Sequence, residues 1–164
     1  IILQANRPFT DFAVLYRTNA QSRVLEEAFL HAGIPYVLVG GTRFYERKEI
    51  KDMLAYFNLA INNLNEEALK RVINYPARGI GETTIDHLIV AAGENKYSLW
   101  DVIENQKKIN LHIGAGTLNK LSDFSILIRS FSVQLPNVNA YDLAFEIATK
   151  SGILKELYSD QEGN

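Results

Sequence analysis

Asn74-Tyr75-Pro76-Ala77-Arg78-Gly79-Ile80-Gly81-Glu82-Thr83-Thr84-Ile85-Asp86-His87-Leu88 is the stretch on which the reading of this chain turns. A helical pattern stops at Pro76, whose fixed φ and missing N–H end a helix. An Arg-Gly-Ile-Gly turn follows. A new helix is expected from about Glu82, with Ile85, Leu88, Ile89 and Ala92 on one face. Gly79 and Gly81 allow close approach of the backbone to another surface, with no Cβ between. The new helix aims its unpaired N–H groups and positive dipole end at the turn, and Arg78 adds a full charge. Backbone amides, a helix N-terminus and an arginine together suit a phosphate. The same residues also make a plain helix-turn-helix corner, and the stretch alone does not separate the two.

Upstream and downstream of the turn the pattern is helical. Ile50, Leu54, Phe57 and Ile61 form one stripe of a long helix. Asn65 is placed to cap the next helix, with Glu66 and Glu67 suiting its dipole and Leu69, Val72 and Ile73 facing inward. Ser98-Leu99-Trp100-Asp101 is a capping box. Asn139 opens a late helix carrying Leu143, Ile147 and Ala148, and Gly152 closes it. Gly114-Ala115-Gly116 with Leu118 and Leu121 faintly repeats the Gly79-Ile80-Gly81 pattern, as paired glycine turns do in helix-hairpin-helix DNA-binding modules.

The first 39 residues differ. Residues 12–16 and 34–39 are apolar runs of β-formers, of the kind buried in a parallel sheet. Val24, Leu25, Ala28 and Phe29 recur between them at helical spacing, and Gly33 stands where a helix C-cap belongs. This predicts a right-handed βαβ unit. The fold class expected is therefore mainly α. A helical domain with a helix-hairpin-helix-like turn (residues 40–164) is preceded by a small βαβ piece of an α/β domain (residues 1–39). One βαβ unit cannot make a sheet layer alone. That reasoning, with a start at Ile1 and an end just after an acidic stretch, predicts a piece excised from a larger protein.

The 164 residues are 47% hydrophobic and 22% charged, which describes a globular chain and not a disordered one. No apolar run approaches the roughly 20 residues of a membrane span. With no cysteine, disulfides, zinc-thiolate sites and thiol catalysis are excluded. His31, His87 and His112 make no metal-ligand spacing. Net charge is −2, split into +2 over residues 1–78 and −4 over residues 79–164. Any nucleic-acid contact is then a local patch.

No catalytic constellation is visible: there is no Gly-Lys-Ser/Thr phosphate loop and no Ser-His-Asp motif. Two further segments carry donors. Arg17, Thr18 and Asn19 lie at the carboxyl end of an expected strand, where α/β sheets bind ligands. They suit phosphates or single-stranded bases, or form a polar turn in which Thr18 or Asn19 caps a helix. Gly40-Gly41 followed by Arg43, Arg47, Lys48 and Lys51 offers a hinge and a basic edge, which Glu46 and Glu49 partly neutralise.

These segments occur together and in this order in one family. The residues concerned are 13–23 with Glu26-Glu27, then 40–52, then Pro76-Ala77-Arg78-Gly79-Ile80-Gly81. The chain resembles the UvrD/Rep/PcrA-type superfamily 1 DNA helicases, strongly over residues 11–90 and more weakly beyond. The resemblance implies part of the RecA-like motor domain 2A over 1–39 and a C-terminally truncated helical 2B domain over 40–164. It implies duplex contacts at Arg78, Gly79, Ile80, Gly81, Thr83, Thr84, Arg43, Arg47 and Lys51. Single-strand contacts fall at Arg17, Thr18 and Asn19, and a hinge at Gly40 and Gly41. The parent would be a bacterial, cytoplasmic ATP-dependent 3′–5′ DNA helicase of repair or replication. It would use ATP and Mg2+ and act on forked or 3′-tailed duplex, with repair proteins as candidate partners and no membrane. This chain, lacking the ATP site, would hold no cofactor, metal or catalytic residue. Two alternatives are a regulatory, partner-binding helical module and a piece of a helicase–nuclease.

Overall fold

The computed structural model describes residues 7–39 and 44–162. They fall into two compact units, one ending at Lys51 and the other beginning at Asp52.

In the first unit a single-turn 3-10 helix at Phe9–Asp11 precedes α1, Asn19–His31. Gln21 closes a capping box at the start of α1, its Oε1 accepting from the amides of Thr18 (3.3 Å) and Arg17 (3.0 Å). Gly33 follows with φ +63°, the left-handed stop expected of it. The expected strands are not formed: no strand occurs among the described residues. Residues 12–16 and 34–39 run as open chain. Leu15 is 93% exposed, Val37 83% and Val39 85%. Side chains of this type fill both faces of a parallel sheet only when further strands and helices cover them, and two strands without such cover are marginal. Ser22 is the only residue seen buried among the described residues of this unit, and those residues form no core.

The core lies in the second unit. Helix α2, Lys48–Ile61, enters it, followed by α3 (Glu66–Val72), α4 (Glu82–Asn95), α5 (Leu99–Glu104), α6 (Ala115–Ser132), α7 (Ala140–Lys150) and α8 (Ile153–Glu162). The short helix α5 is the hub, packing against α3, α4 and α6, while α7 packs on α6 and α8. Trp100 of α5 is buried, together with Leu99, Val102 and Ile103. The expected caps are present: Asn65 accepts from the Ala68 amide, Ser98 and Asp101 form a capping box, and Asn139 accepts from the Asp142 amide. Gly152, at φ +90°, follows α7.

The inward face of α2 is not the stripe expected. Asp52, Ala55, Tyr56, Leu59 and Ala60 are buried, while Leu54 and Ile61 are exposed. Burying Tyr56 places a ring and a hydroxyl where one is needed (below), and an apolar stripe does not show that. In α4, Leu88, Ala91 and Ala92 are buried and Ile89 is exposed, a rotation of the same kind.

Candidate nucleic-acid interface

The Asn74–Gly81 turn is built around two side chains. Asn74 Oδ1 accepts from the amides of Arg78 (2.9 Å) and Ile80 (3.0 Å), folding the loop back on itself. Ile80 is fully buried and pins the apex of the turn to the core. Gly79 adopts φ +70°, which an L side chain resists. Tyr75–Pro76 is a cis peptide bond.

Gly81 is the N-cap of α4 and has no side chain to cap it. The first hydrogen-bonded amide is that of Thr84, donating to Gly81 O at 3.0 Å, so the amides of Glu82 and Thr83 have no partner within the helix. A Cβ built on Gly81 would meet nothing within 4 Å. Thr83 is exposed and Thr84 half-buried beside it. The arrangement offers a backbone face, two hydroxyls and a helix dipole to an anion.

Arg78 is turned the other way. Its guanidinium donates to Val72 O (3.2 Å), Pro76 O (3.1 Å) and Ser151 O (2.9 Å). It lies 5.8 Å from the ring centre of Tyr56 and 5.6 Å from that of Phe124. Lys120 of α6 is the cation found at the turn's outer side, its Nζ 3.4 Å from Gly79 O and 2.5 Å from where a Gly79 Cβ would lie. Sequence inspection missed Lys120, which is 41 residues from Gly79. The available signal was the Gly114 repeat, since Gly114 is the N-cap of α6 and, like Gly81, has no capping side chain.

Tyr56 donates from its hydroxyl to Tyr75 O at 2.5 Å, with Val72 O at 3.4 Å. Burial pushes its phenol up from 10.0 to about 12, with the Arg78 guanidinium opposing and the Asp52 carboxylate adding to the rise. A folded-state value above the unfolded one means stability that is complete below pH 10 and is lost as pH rises from about 10 to 12. Between pH 9 and 12 the wild type is expected to lose about 2 kcal/mol more than Tyr56→Phe, which has no phenol to ionise. Denaturant unfolding at both pH values checks this, and equal losses would refute it.

In the first unit, Thr18 is the N-cap of α1 and Arg17 is exposed just before it. Asn19 is the first residue of α1. A cleft of about 780 Å3 beside them is lined by Tyr16, Arg17, Ser22, Glu26, Phe29 and Tyr36, among others. Tyr36 donates to Glu26 at 3.3 Å and packs against Phe29 with ring centres 5.5 Å apart and planes tilted by 37°. Arg47 is half-buried and Lys51 exposed in this same unit. The expected hinge Gly40-Gly41 and Arg43 lie outside the described residues. Among those described, no group of His, Asp or Glu can hold a metal and no helix is long and apolar enough to cross a membrane.

The family model described as the UvrD-like helicase C-terminal domain matches residues 2–147. The chain is 37% identical over 146 residues to the ATP-dependent DNA helicase PcrA of Staphylococcus aureus, covering 89% of this chain and 20% of that protein. To the ATP-dependent DNA helicase PcrA of Staphylococcus epidermidis it is 35% identical over 158 residues, covering 96% and 21%. It thus spans about a fifth of the length of these curated relatives. The chain belongs to the family of the UvrD-like helicase C-terminal domain.

Proposed function

We propose that this chain is the DNA-gripping part of an ATP-dependent 3′–5′ helicase of the UvrD/PcrA type, holding the backbone of duplex DNA ahead of a fork. The observation that carries this reading is the uncapped, unobstructed start of α4 at Gly81, with the Thr83 and Thr84 hydroxyls beside it. Gly79 and Gly81 present the turn, buried Ile80 holds it to the core rather than touching DNA as the resemblance implied, and Lys120 supplies an exposed cation. Phosphate contacts of this kind position a duplex without reading its sequence. Arg17, Thr18 and Asn19 touch the single strand, and Arg43, Arg47 and Lys51 are further duplex contacts implied by the resemblance. Residues 1–39 belong to a RecA-like motor domain that pairs as βαβ once its sheet is complete, 40–164 to the helical domain with its hairpin-like turn, and Gly40-Gly41 to the hinge between them. ATP, Mg2+ and hydrolysis belong to the parent enzyme, which acts in repair or replication in the bacterial cytoplasm.

A fluorescence titration of the chain with a labelled forked duplex tests this. Binding is expected to be weak and independent of sequence, with log Kd steep in log salt. Lys120→Ala is expected to weaken binding severalfold and to flatten the slope by about 0.9, the share of one phosphate contact on duplex DNA. No binding at low salt would refute the reading.

A second reading, a regulatory module that docks a protein partner, draws on the −4 balance of residues 79–164. Exposed Tyr141 and Phe145, one turn apart on α7, add to it. Capture of a repair protein by a chain that ignores DNA would favour it.

A further inference from the structure

We infer that Arg78 is a positioning residue of the duplex-binding turn and not one of its phosphate ligands. Its functional meaning rests on the duplex reading above; its anchoring role does not. The guanidinium joins three separate segments by donating to Val72 O in the last turn of α3, Pro76 O within the turn, and Ser151 O at the C-cap of α7. Val72 and Ser151 are both at helix C-termini, whose carbonyls lack partners within the helix and whose negative dipole ends favour a cation. Two aromatic faces, Tyr56 and Phe124, flank the same group. The corner after α7 runs close to the same loop, since a Cβ built on Gly152 would lie 3.7 Å from Pro76. A guanidinium serves this place because its planar fork reaches several acceptors at once and stacks on rings; an ammonium does neither as well.

The geometry divides the labour of the turn. Arg78 faces inward and ties the loop to α3, α6 and α7, while its own amide and that of Ile80 are fixed on Asn74 Oδ1. The backbones of Gly79 and Gly81 and the first turn of α4 are thereby held in one orientation and left open to the outside, while Ile80 stays buried between them. In the sequence a cation stands next to two glycines, where an anion is the expected partner, but the fold directs that charge to carbonyls.

The test uses the whole 164-residue chain and the variants Arg78→Lys and Arg78→Ala, with folding checked by the fluorescence of Trp100. Arg78→Lys keeps the charge and loses the fork. It is expected to weaken fork binding at least about fivefold at every salt concentration, with the slope of log Kd against log salt unchanged, because that slope counts phosphates. Amide exchange at Arg78 and Ile80 should quicken about tenfold, while Val102 and Ile103 in α5 stay protected. If Arg78→Ala unfolds the chain, Arg78→Lys still decides. A slope reduced by about 0.9 in folded Arg78→Ala marks a phosphate ligand and overturns the inference. So does unchanged affinity in Arg78→Lys, or unchanged exchange at the turn. If the wild type binds no DNA, the duplex reading fails by itself, and the exchange measurement alone then upholds or overturns the anchoring role.

Discussion

Phe124→Ala is expected to destabilise the second unit by about 4 kcal/mol, the largest effect of any single truncation near the turn. Phe124 is essentially fully buried in the middle of α6 and forms one of the two walls around the Arg78 guanidinium. Truncation removes a large apolar surface and leaves a cavity that the crossing helices cannot close. It also lets water reach a charged group whose carbonyl partners are now sheltered. Phe124→Leu, which refills most of the volume, should cost about 1.5 kcal/mol. Trp100, the only tryptophan, is buried in the same unit and reports its unfolding in urea. A loss for Phe124→Ala below about 1.5 kcal/mol would show that the site collapses freely and that the Arg78 cradle does not depend on this ring.

Arg71→Met is expected to cost about 3 kcal/mol. Asp52, only 3% exposed, accepts from Arg71 Nε at 2.7 Å through Oδ1, while its Oδ2 is buried with no hydrogen-bond partner among the described residues. Removing the arginine strands a buried carboxylate that already lacks half its partners. Removing both groups is gentler: Asp52→Leu in the Arg71→Met background should recover at least about half of the loss, since apolar replacement of a buried pair is often neutral. Opposite ordering, with the double variant weaker than Arg71→Met, would refute this account. Exposed pairs such as Arg23–Glu27 (2.9 Å) and Lys70–Glu66 (3.6 Å) are expected to matter far less.

The helices were legible because their signals are local. Asn65, Ser98 and Asn139 each cap the helix that follows by a bond to an amide three residues on, and such a bond needs nothing distant. Gly33 and Gly152 stop helices for the same kind of reason. The face each helix buries was less legible. The spacing of Ile50, Leu54, Phe57 and Ile61 is a valid apolar stripe. The fold instead buries the neighbouring stripe through Asp52, Tyr56 and Leu59, because the acceptors of the Tyr56 hydroxyl and the partner of Asp52 come from after α2 in sequence. The strands failed for a related reason. A parallel strand exists only through its neighbours, and apolar residues such as Leu15 and Val37 stay exposed without them.

By itself, the sequence determined the family, the run of helices, their caps and the location of the glycine turn, since all of these rest on residue type and short spacing. Only the tertiary structure decided where each charge at the turn points. Arg78, adjacent to Gly79 in the chain, is drawn inward by the carbonyl ends of α3 and α7 and by two aromatic rings. Lys120, on a different helix, is brought to the turn's outer face. Direction in space depends on which helix ends converge at the loop, and that convergence is written in no segment of fifteen residues.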